Sequence, residues 1–278
     1  MISTHLSKNI LQSLGLTKQP ANIDFLDQIL HAYTRSIPWE SATRNVKRVQ
    51  VESANQDVQQ CPRWPEEFWA LALEDGTGGT CFETNLSVFA FLNTLGYNGY
   101  LTINNMTESI GCHTAIVVLI DGEKWLFDAG YPLECVVPLS ASQPTYKRGK
   151  FLDFQATPQG DGTYEITRLR HPKPYVFTLI DTPVSVEDYK QATANDYRPE
   201  GNFNESLVIN KTVDEQLIRF STRTADVLFE SFTADPEGGM AVRQVFSVEE
   251  DLAQQLANIF KMPISTLSHA LEIVQSRS

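Results

Sequence analysis

The chain has 278 residues, 42% of them hydrophobic and 20% charged, a composition of folded globular proteins rather than disordered ones. Its 34 acidic residues against 22 basic ones leave a net charge of -12, which argues against a general binder of nucleic acid or anionic membranes. The longest apolar runs, FWALAL at 68–73 and AIVVLI at 115–120, are too short to span a bilayer, and the first residues lack the basic flank and apolar stretch of a signal peptide, so a cytosolic protein is expected.

In chain order, the first hundred residues read as helical. SKNILQSLGL and NIDFLDQILHAYTRS carry apolar residues at helical spacing, in the second through Ile23, Leu26, Leu30 and Tyr33, before IPWES stops the pattern. Residues 41–64 read as irregular and polar. PEEFWALALEDG then places Pro65 at a first helical position, two glutamates in the first turn and Gly76 at the end. From Cys81 the chain is apolar nearly all round, which predicts a buried helix stopped by Gly96.

Beyond residue 100 the pattern changes to short strands: GYLTIN, HTAIVVLI, KWLFDAG, ECVVPL, GTYEITRL and PYVFTLI, a sheet or barrel. VSVEDYKQATAND reads as a helix, and ESLVINK and QLIRFSTRTADVLFE as more strands. SVEEDLAQQLANIF and PISTLSHALEIV close the chain as helices, the first opened by a capping box from Ser247 to Glu250.

Four cysteines, Cys61, Cys81, Cys112 and Cys135, show no regular spacing and no CxxC, so free thiols are expected and neither a disulfide framework nor a metal site. One of them stands out by position. GTGGTCFETN at 76–85 sets a glycine turn directly before Cys81 and the buried helix. The unpaired N–H groups and partial positive charge of a helix start bias a thiol there toward thiolate, the nucleophilic form. Cysteine is also a small hydrophobe that is often simply buried, so a nucleophile needs an activating neighbour.

A neighbour is supplied by HTAIVVLIDGEKWLFDAG. Asp121-Gly122 is a two-residue hairpin signal, and a symmetric turn pairs Ile120 with Glu123, hence Ala115 with Asp128 and His113 with Gly130. His113 and Asp128 are then diagonal neighbours on one face, with Cβ atoms roughly 7–8 Å apart, within reach of an imidazole-carboxylate hydrogen bond. Taken singly, His113 reads as a strand cap and Asp128 as a turn residue. Together they fit a Cys–His–Asp triad in which the carboxylate orients the imidazole that takes the thiol proton. Cys112 points to the opposite face and reads as a core thiol.

These segments resemble the arylamine N-acetyltransferase family. Its cysteine motif Arg-Gly-Gly-x-Cys-Phe-Glu-x-Asn is similar to TGGTCFETN, its IPFEN to IPWES at 37–41, and its histidine strand followed by DVGFG to HTAIVVLIDGEKWLFDAGYP. The resemblance is good over the first half and fades beyond residue 150. It implies Cys81, His113 and Asp128 as the triad, acetyl-CoA as donor, and an acceptor pocket bordered by Trp39 and Phe82, with Gly130 and Tyr131 also at the substrate. Lys147, Arg148 and Lys150 of YKRGK, the densest basic cluster, are the candidates for the phosphates of coenzyme A.

With that resemblance the chain reads as α+β: a helical N-terminal bundle over 1–99, a β-barrel over 100–205 and a C-terminal α/β lid over 206–278. The expected activity is acetyl transfer from acetyl-CoA to an arylamine or hydrazine through a cysteine thioester, with small molecules as partners and no nucleic acid or membrane. An amide synthase or a Cys-dependent amidase can use the same triad, and a binding protein with a decayed site remains open. The last is motivated by Thr77, which stands where the family has arginine; Ser41 for asparagine and Pro132 for the second glycine of DVGFG depart as well, and the three bear on substrate geometry more than on the triad. With that arginine missing, Glu40 is expected to be held by hydrogen bonds from the 76–80 turn.

Overall fold

The computed structural model describes residues 2–131, 133–171, 173–224, 227–235 and 239–277; Pro132 lies outside them. The helical first part comprises α1 (Thr4–Ser13), α2 (Ile23–Ser36), the two-residue strand β1 (Trp39–Glu40), α3 (Ala42–Ser53), α4 (Pro65–Asp75) and α5 (Cys81–Leu95). Local chemistry explains most of the boundaries. The Asn22 side chain accepts the Phe25 N–H at the start of α2, Pro65 opens α4, and Gly76 and Gly96 end α4 and α5 in the left-handed conformation.

Helix α3 corrects the expectation of an irregular stretch at 41–64. Its buried face carries Arg44, Asn45 and Arg48 beside Ala42 and Val51, so no apolar period marks it. These polar groups find partners in the fold: Arg44 Nη1 reaches Asp196 Oδ2 at 2.7 Å, and Asn45 Nδ2 donates to the Ser206 carbonyl at 3.1 Å. Helicity here follows from tertiary bonding.

An eight-stranded antiparallel sheet follows, made of β2 (Asn98–Met106), β3 (Ser109–Ile120), β4 (Glu123–Phe127), β5 (Val137–Leu139), β6 (Thr145–Arg148), β7 (Asp153–Pro158), β8 (Thr163–Leu169) and β9 (Tyr175–Ile180). Its order is β5-β4-β3-β2-β9-β8-β7-β6. The two edge strands come together where the Thr145 hydroxyl donates to the Pro138 carbonyl, which nearly closes a barrel. Strands β6 and β7 had no strand reading in the sequence, because TYKR alternates no apolar residue.

After α6 (Val186–Asp196) come β10 (Val208–Val213), β11 (Gln216–Ser221), β12 (Leu228–Thr233) and β13 (Val242–Val245), then α7 (Leu252–Phe260) and α8 (Ile264–Arg277). The four strands form a second sheet whose first edge is β1, with Trp39 opposite Asn210 and Glu40 opposite Ile209. Helix α7 starts later than the Ser247 capping box proposes: Asp251 is the cap and accepts the Gln254 N–H at 3.0 Å.

One apolar core joins α2, α4 and α5 to the barrel, and a second lies between the C-terminal sheet and α7 and α8, through Ile209, Phe220, Phe229, Leu256 and Phe260. No helix among the described residues is long and apolar enough to cross a membrane.

Candidate active site

The site grows from the β3–β4 hairpin. Asp121 and Gly122 both have positive φ, 52° and 82°, as a type I′ turn requires. The register runs from Ile120 opposite Glu123 to Ile116 opposite Phe127, as sequence arithmetic predicts. Asp128 emerges just past the last pair, and its Oδ2 lies 2.7 Å from His113 Nε2. Both side chains are buried, His113 at 2% exposure and Asp128 at 0%. Because a carboxylate accepts, Nε2 carries a proton, and in the neutral imidazole Nδ1 then keeps its lone pair.

Asp128 is held from its other side as well. Its Oδ1 accepts the Gly130 N–H at 2.8 Å, the Tyr131 N–H at 2.9 Å and the Asn85 amide at 3.1 Å. The same Asn85 nitrogen donates to the Thr114 carbonyl at 2.7 Å, and its oxygen accepts the Ala129 N–H at 3.2 Å. Asn85 stands one helical turn after Cys81, so helix α5 is bonded to both strands of the hairpin. Sequence reasoning gave Asn85 no such role, although the asparagine ends the TCFETN motif on the face that carries Cys81.

Cys81 is the first residue of α5 and is 5% exposed. Its Sγ lies 3.7 Å from the Cys112 carbonyl, and its own carbonyl accepts the Thr114 hydroxyl at 3.0 Å, which seats the thiol against the His113 segment. Gly130 allows the approach: a Cβ there would stand 2.7 Å from both Cα and Cβ of Cys81. Burial, reinforced by the charges of Asp196 and Asp128, pushes the Cys81 thiol well above its usual pKa. This direction runs against the bias toward thiolate expected at a helix start. Cys112 is half-buried and donates to the Ser109 carbonyl, so it is not a core thiol as expected. All four cysteines are free.

The start of α5 is fixed by charge and hydrogen bonds from three directions. Arg63 Nη2 reaches Glu83 Oε2 at 2.5 Å and the Gly78 carbonyl at 2.7 Å, and its N–H donates to Glu83 Oε1 at 2.8 Å. Tyr197 adds its hydroxyl to Glu83 Oε1 at 2.6 Å, and Tyr189 donates to the Phe82 carbonyl at 3.0 Å. Glu40 accepts the Gly78 N–H at 3.2 Å and the Thr43 N–H at 2.9 Å, with the Thr43 hydroxyl completing its shell. The turn thus supplies one of the expected donors to Glu40, while Thr43 supplies the rest. The Thr77 hydroxyl is buried and has no partner among the described residues.

Around His113, Phe177 lies 4.5 Å from the imidazole ring, and Tyr131 meets the same ring edge-on at 6.3 Å. Trp39 packs edge-on against Phe203 at 4.9 Å, and the Arg223 guanidinium covers the Phe203 ring at 4.9 Å. Phe82 is buried and packs against Tyr189. A cavity of ≈ 320 Å³ lined by Phe203, Asn204, Thr222 and Arg223 opens beside this stack. The basic cluster of β6 is engaged elsewhere: Lys147 faces Asp27 at 3.8 Å, Lys150 pairs with Glu215, and Arg148 is exposed. No group of metal-binding side chains occurs among the described residues.

A helical part, a nearly closed eight-stranded barrel and a second sheet define the N-acetyltransferase class, and residues 22–268 match that family's profile. The chain belongs to the arylamine N-acetyltransferase family and is an acyl-CoA-dependent N-acetyltransferase. It is 23% identical over 195 residues to proansamycin X synthase of Amycolatopsis mediterranei, covering 66% of this chain and 71% of that protein. Its fold is similar to that of an arylamine N-acetyltransferase of Bacillus cereus described with a Cys-His-Glu catalytic triad, at 17% identity and TM-score 0.67, covering 92% of this chain and 97% of that one. The Mycobacterium marinum enzyme in complex with CoA is similar at 15% identity and TM-score 0.73, covering 96% and 98%.

Proposed function

We propose that the protein moves an acetyl group from acetyl-CoA to an arylamine or hydrazine through a thioester on Cys81. The observation that carries this reading is the His113–Asp128 bond at 2.7 Å, locked to the helix of Cys81 by Asn85. As the Cys81 sulfur attacks the thioester carbonyl, its proton passes to Nδ1 of His113, and Asp128 stabilises the imidazolium. The new S–C bond forms, the bond to the coenzyme A sulfur breaks, and His113 returns the proton to that sulfur. The amine then attacks the Cys81 thioester, His113 takes its proton, and the thiol is regenerated.

N–H groups at the start of α5, including that of Cys81, would donate to the tetrahedral oxyanion. Trp39, Phe82 and Tyr131 would border the acceptor, and Gly130 would serve the site by letting Cys81 approach the hairpin. The CoA complex known for the Mycobacterium marinum relative supports a coenzyme A thioester as donor.

The test is intact mass spectrometry after mixing with acetyl-CoA in the absence of amine. One acetyl group on Cys81, lost in Cys81→Ser, is the expected result; an unmodified protein, or acetylation of another cysteine, sinks the assignment. A second reading, an amide synthase acting on a larger acyl chain, is favoured by similarity to a relative named as a synthase and not as an acetyltransferase. It would leave Cys81 unacetylated yet reactive toward a longer thioester.

A further inference from the structure

A cavity of ≈ 190 Å³ opens beside the turn that leads to Cys81, walled by α3, α4 and α8 together with Arg63 and Thr77. None of Cys81, His113 and Asp128 lines it, so it is separate from the candidate triad. Its rim is exposed and carries Glu67 and Asp75 of α4, with Lys47 of α3 bonded to Glu67 at 2.9 Å. Its floor is buried, Arg63 being 2% and Thr77 3% exposed.

This floor is short of hydrogen-bond acceptors. The Thr77 hydroxyl has no partner among the described residues, and neither have Nε and Nη1 of Arg63. Of the guanidinium nitrogens Nη2 alone is hydrogen-bonded, to Glu83 Oε2 at 2.5 Å and the Gly78 carbonyl at 2.7 Å. Buried donors are costly to leave unpaired, so folded proteins supply them with partners. Water fits the space poorly. One water needs only about 10–15 Å³ of a cavity, and walls made by Val46 and Leu71 give further waters nothing to bond. An apolar cavity of about 150 Å³ already holds benzene.

Charge decides which acceptor suits the floor. Lys47 and Arg63 stand against Glu67, Asp75, the Glu83 that pairs with Arg63, and the Glu40 that accepts the N–H of Thr43 on the cavity wall. Carboxylates outnumber cations, so a further anion is repelled. A simple cation lacks the lone pair that Arg63 and Thr77 call for. We propose that this cavity is a binding site for a small carboxamide. The carbonyl oxygen accepts from Arg63 and Thr77, the amide N–H groups face Asp75 and Glu67, and the apolar body lies on Val46 and Leu71. Both ends of the amide then meet their complements.

Three molecules of nearly one shape, benzamide, benzoate and benzamidine, test the site in the full chain, with dissociation constants measured by calorimetry or ligand-observed NMR. One benzamide should bind per chain, at least about tenfold more tightly than the anion or the cation, and should still bind after Cys81 has been alkylated with iodoacetamide. Thr77→Val keeps the shape and loses the hydroxyl. It should weaken benzamide by about three- to tenfold, the scale of one neutral hydrogen bond. Leu71→Trp fills the space and should abolish binding. Arg63 is left in place because its loss would strand Glu83.

The absence of saturable benzamide binding would mean that the cavity takes water only, and overturns the proposal. Benzoate or benzamidine binding as tightly as benzamide overturns the ligand class. Benzamide affinity unchanged in Thr77→Val or in Leu71→Trp places the ligand elsewhere, and binding lost on alkylation places it at Cys81; each of these outcomes also ends the proposal. If circular dichroism shows that Leu71→Trp does not fold, Val46→Phe fills the same space and decides by the same criterion. No part of the site uses Cys81, so the result stands whether or not acetyl-CoA acetylates that residue.

Discussion

Asn85 binds Asp128 across the junction of helix and barrel: its amide nitrogen lies 3.1 Å from Asp128 Oδ1, the carboxylate oxygen that does not face His113. Through this bond the helix that carries Cys81 and the hairpin that carries His113 are held together. Asn85→Ala leaves Oδ1 with the N–H groups of Gly130 and Tyr131, so Asp128 stays bonded. The expected outcome is a stability loss of about 1–3 kcal/mol from the orphaned Thr114 carbonyl and Ala129 N–H. A fall of roughly 10- to 100-fold in kcat should accompany it, from a displaced thiol. Urea unfolding and steady-state kinetics measure the two, and unchanged kcat in a folded variant would show that the triad is aligned without Asn85.

Asp128→Asn separates orientation from folding. An amide nitrogen facing His113 favours proton placement on Nδ1, the nitrogen needed as base. Activity should fall by roughly 10³–10⁴-fold, the scale known for the corresponding change in a serine protease triad. Circular dichroism should be unchanged. Near-normal turnover would separate the two side chains functionally, and loss of folding would make Asp128 a structural residue.

The Arg63–Glu83 pair predicts a reversal of pH dependence. Burial alone would raise the Glu83 pKa, but the charge and hydrogen bonds of Arg63, with the Tyr197 hydroxyl, bring it below the usual carboxylate range. A carboxyl group lowered in the folded state contributes stability that is fully present above its unfolded pKa, about 4.3, and is lost as pH falls through the folded value. Arg63→Met removes the partner and leaves a buried carboxylate alone, a cost of roughly 3–5 kcal/mol at pH 7. The Glu83 pKa then rises above its unfolded value, so this variant should gain stability from pH 7 toward pH 5. Unfolding midpoints across that range test the sign, and a variant that only loses stability toward acid contradicts it.

Glu40 joins β1, α3 and the turn before Cys81. Glu40→Ala strands the N–H groups of Thr43 and Gly78 and is expected to cost about 1–3 kcal/mol, while Glu40→Gln keeps an acceptor and is milder. The rate at which iodoacetamide alkylates Cys81 should rise in the alanine variant as the turn loosens. If neither stability nor alkylation changes, the turn is ordered by Arg63 and the packing of Gly78 without Glu40.

The hairpin carrying His113 and Asp128 was legible because two local rules, the Asp-Gly turn and the period of two, determine which side chains share a face. The helix of Cys81 was legible for a similar reason, with Gly96 and an all-round apolar surface as its marks. Helix α3 escaped because Arg44 and Arg48 occupy its inner face, and their partners, Asp196 and Glu52, lie on α6 and on α3 itself. The arginine that serves the Cys81 turn escaped differently. The familiar motif places it next to the glycines, whereas Arg63 comes from the loop before α4, where nothing in CPRWP distinguishes it from a surface residue. The thiol's raised pKa was out of reach as well, since burial is a property of the assembled site.

Strand β1 has a consequence for the making of the protein. Trp39 and Glu40 pair with Asn210 and Ile209, and the Glu40 N–H donates to the Gly79 carbonyl at 3.2 Å in the turn that precedes Cys81. During synthesis the residues around Cys81 therefore leave the ribosome well before the strand that completes their surroundings, and β1 has no sheet to join until β10 emerges. Nascent chains stalled short of residue 208 would carry the thiol, the histidine and the aspartate without a seat for Trp39. Competence to acylate should appear late and abruptly along the growing chain, as a property of translation progress rather than of any catalytic residue.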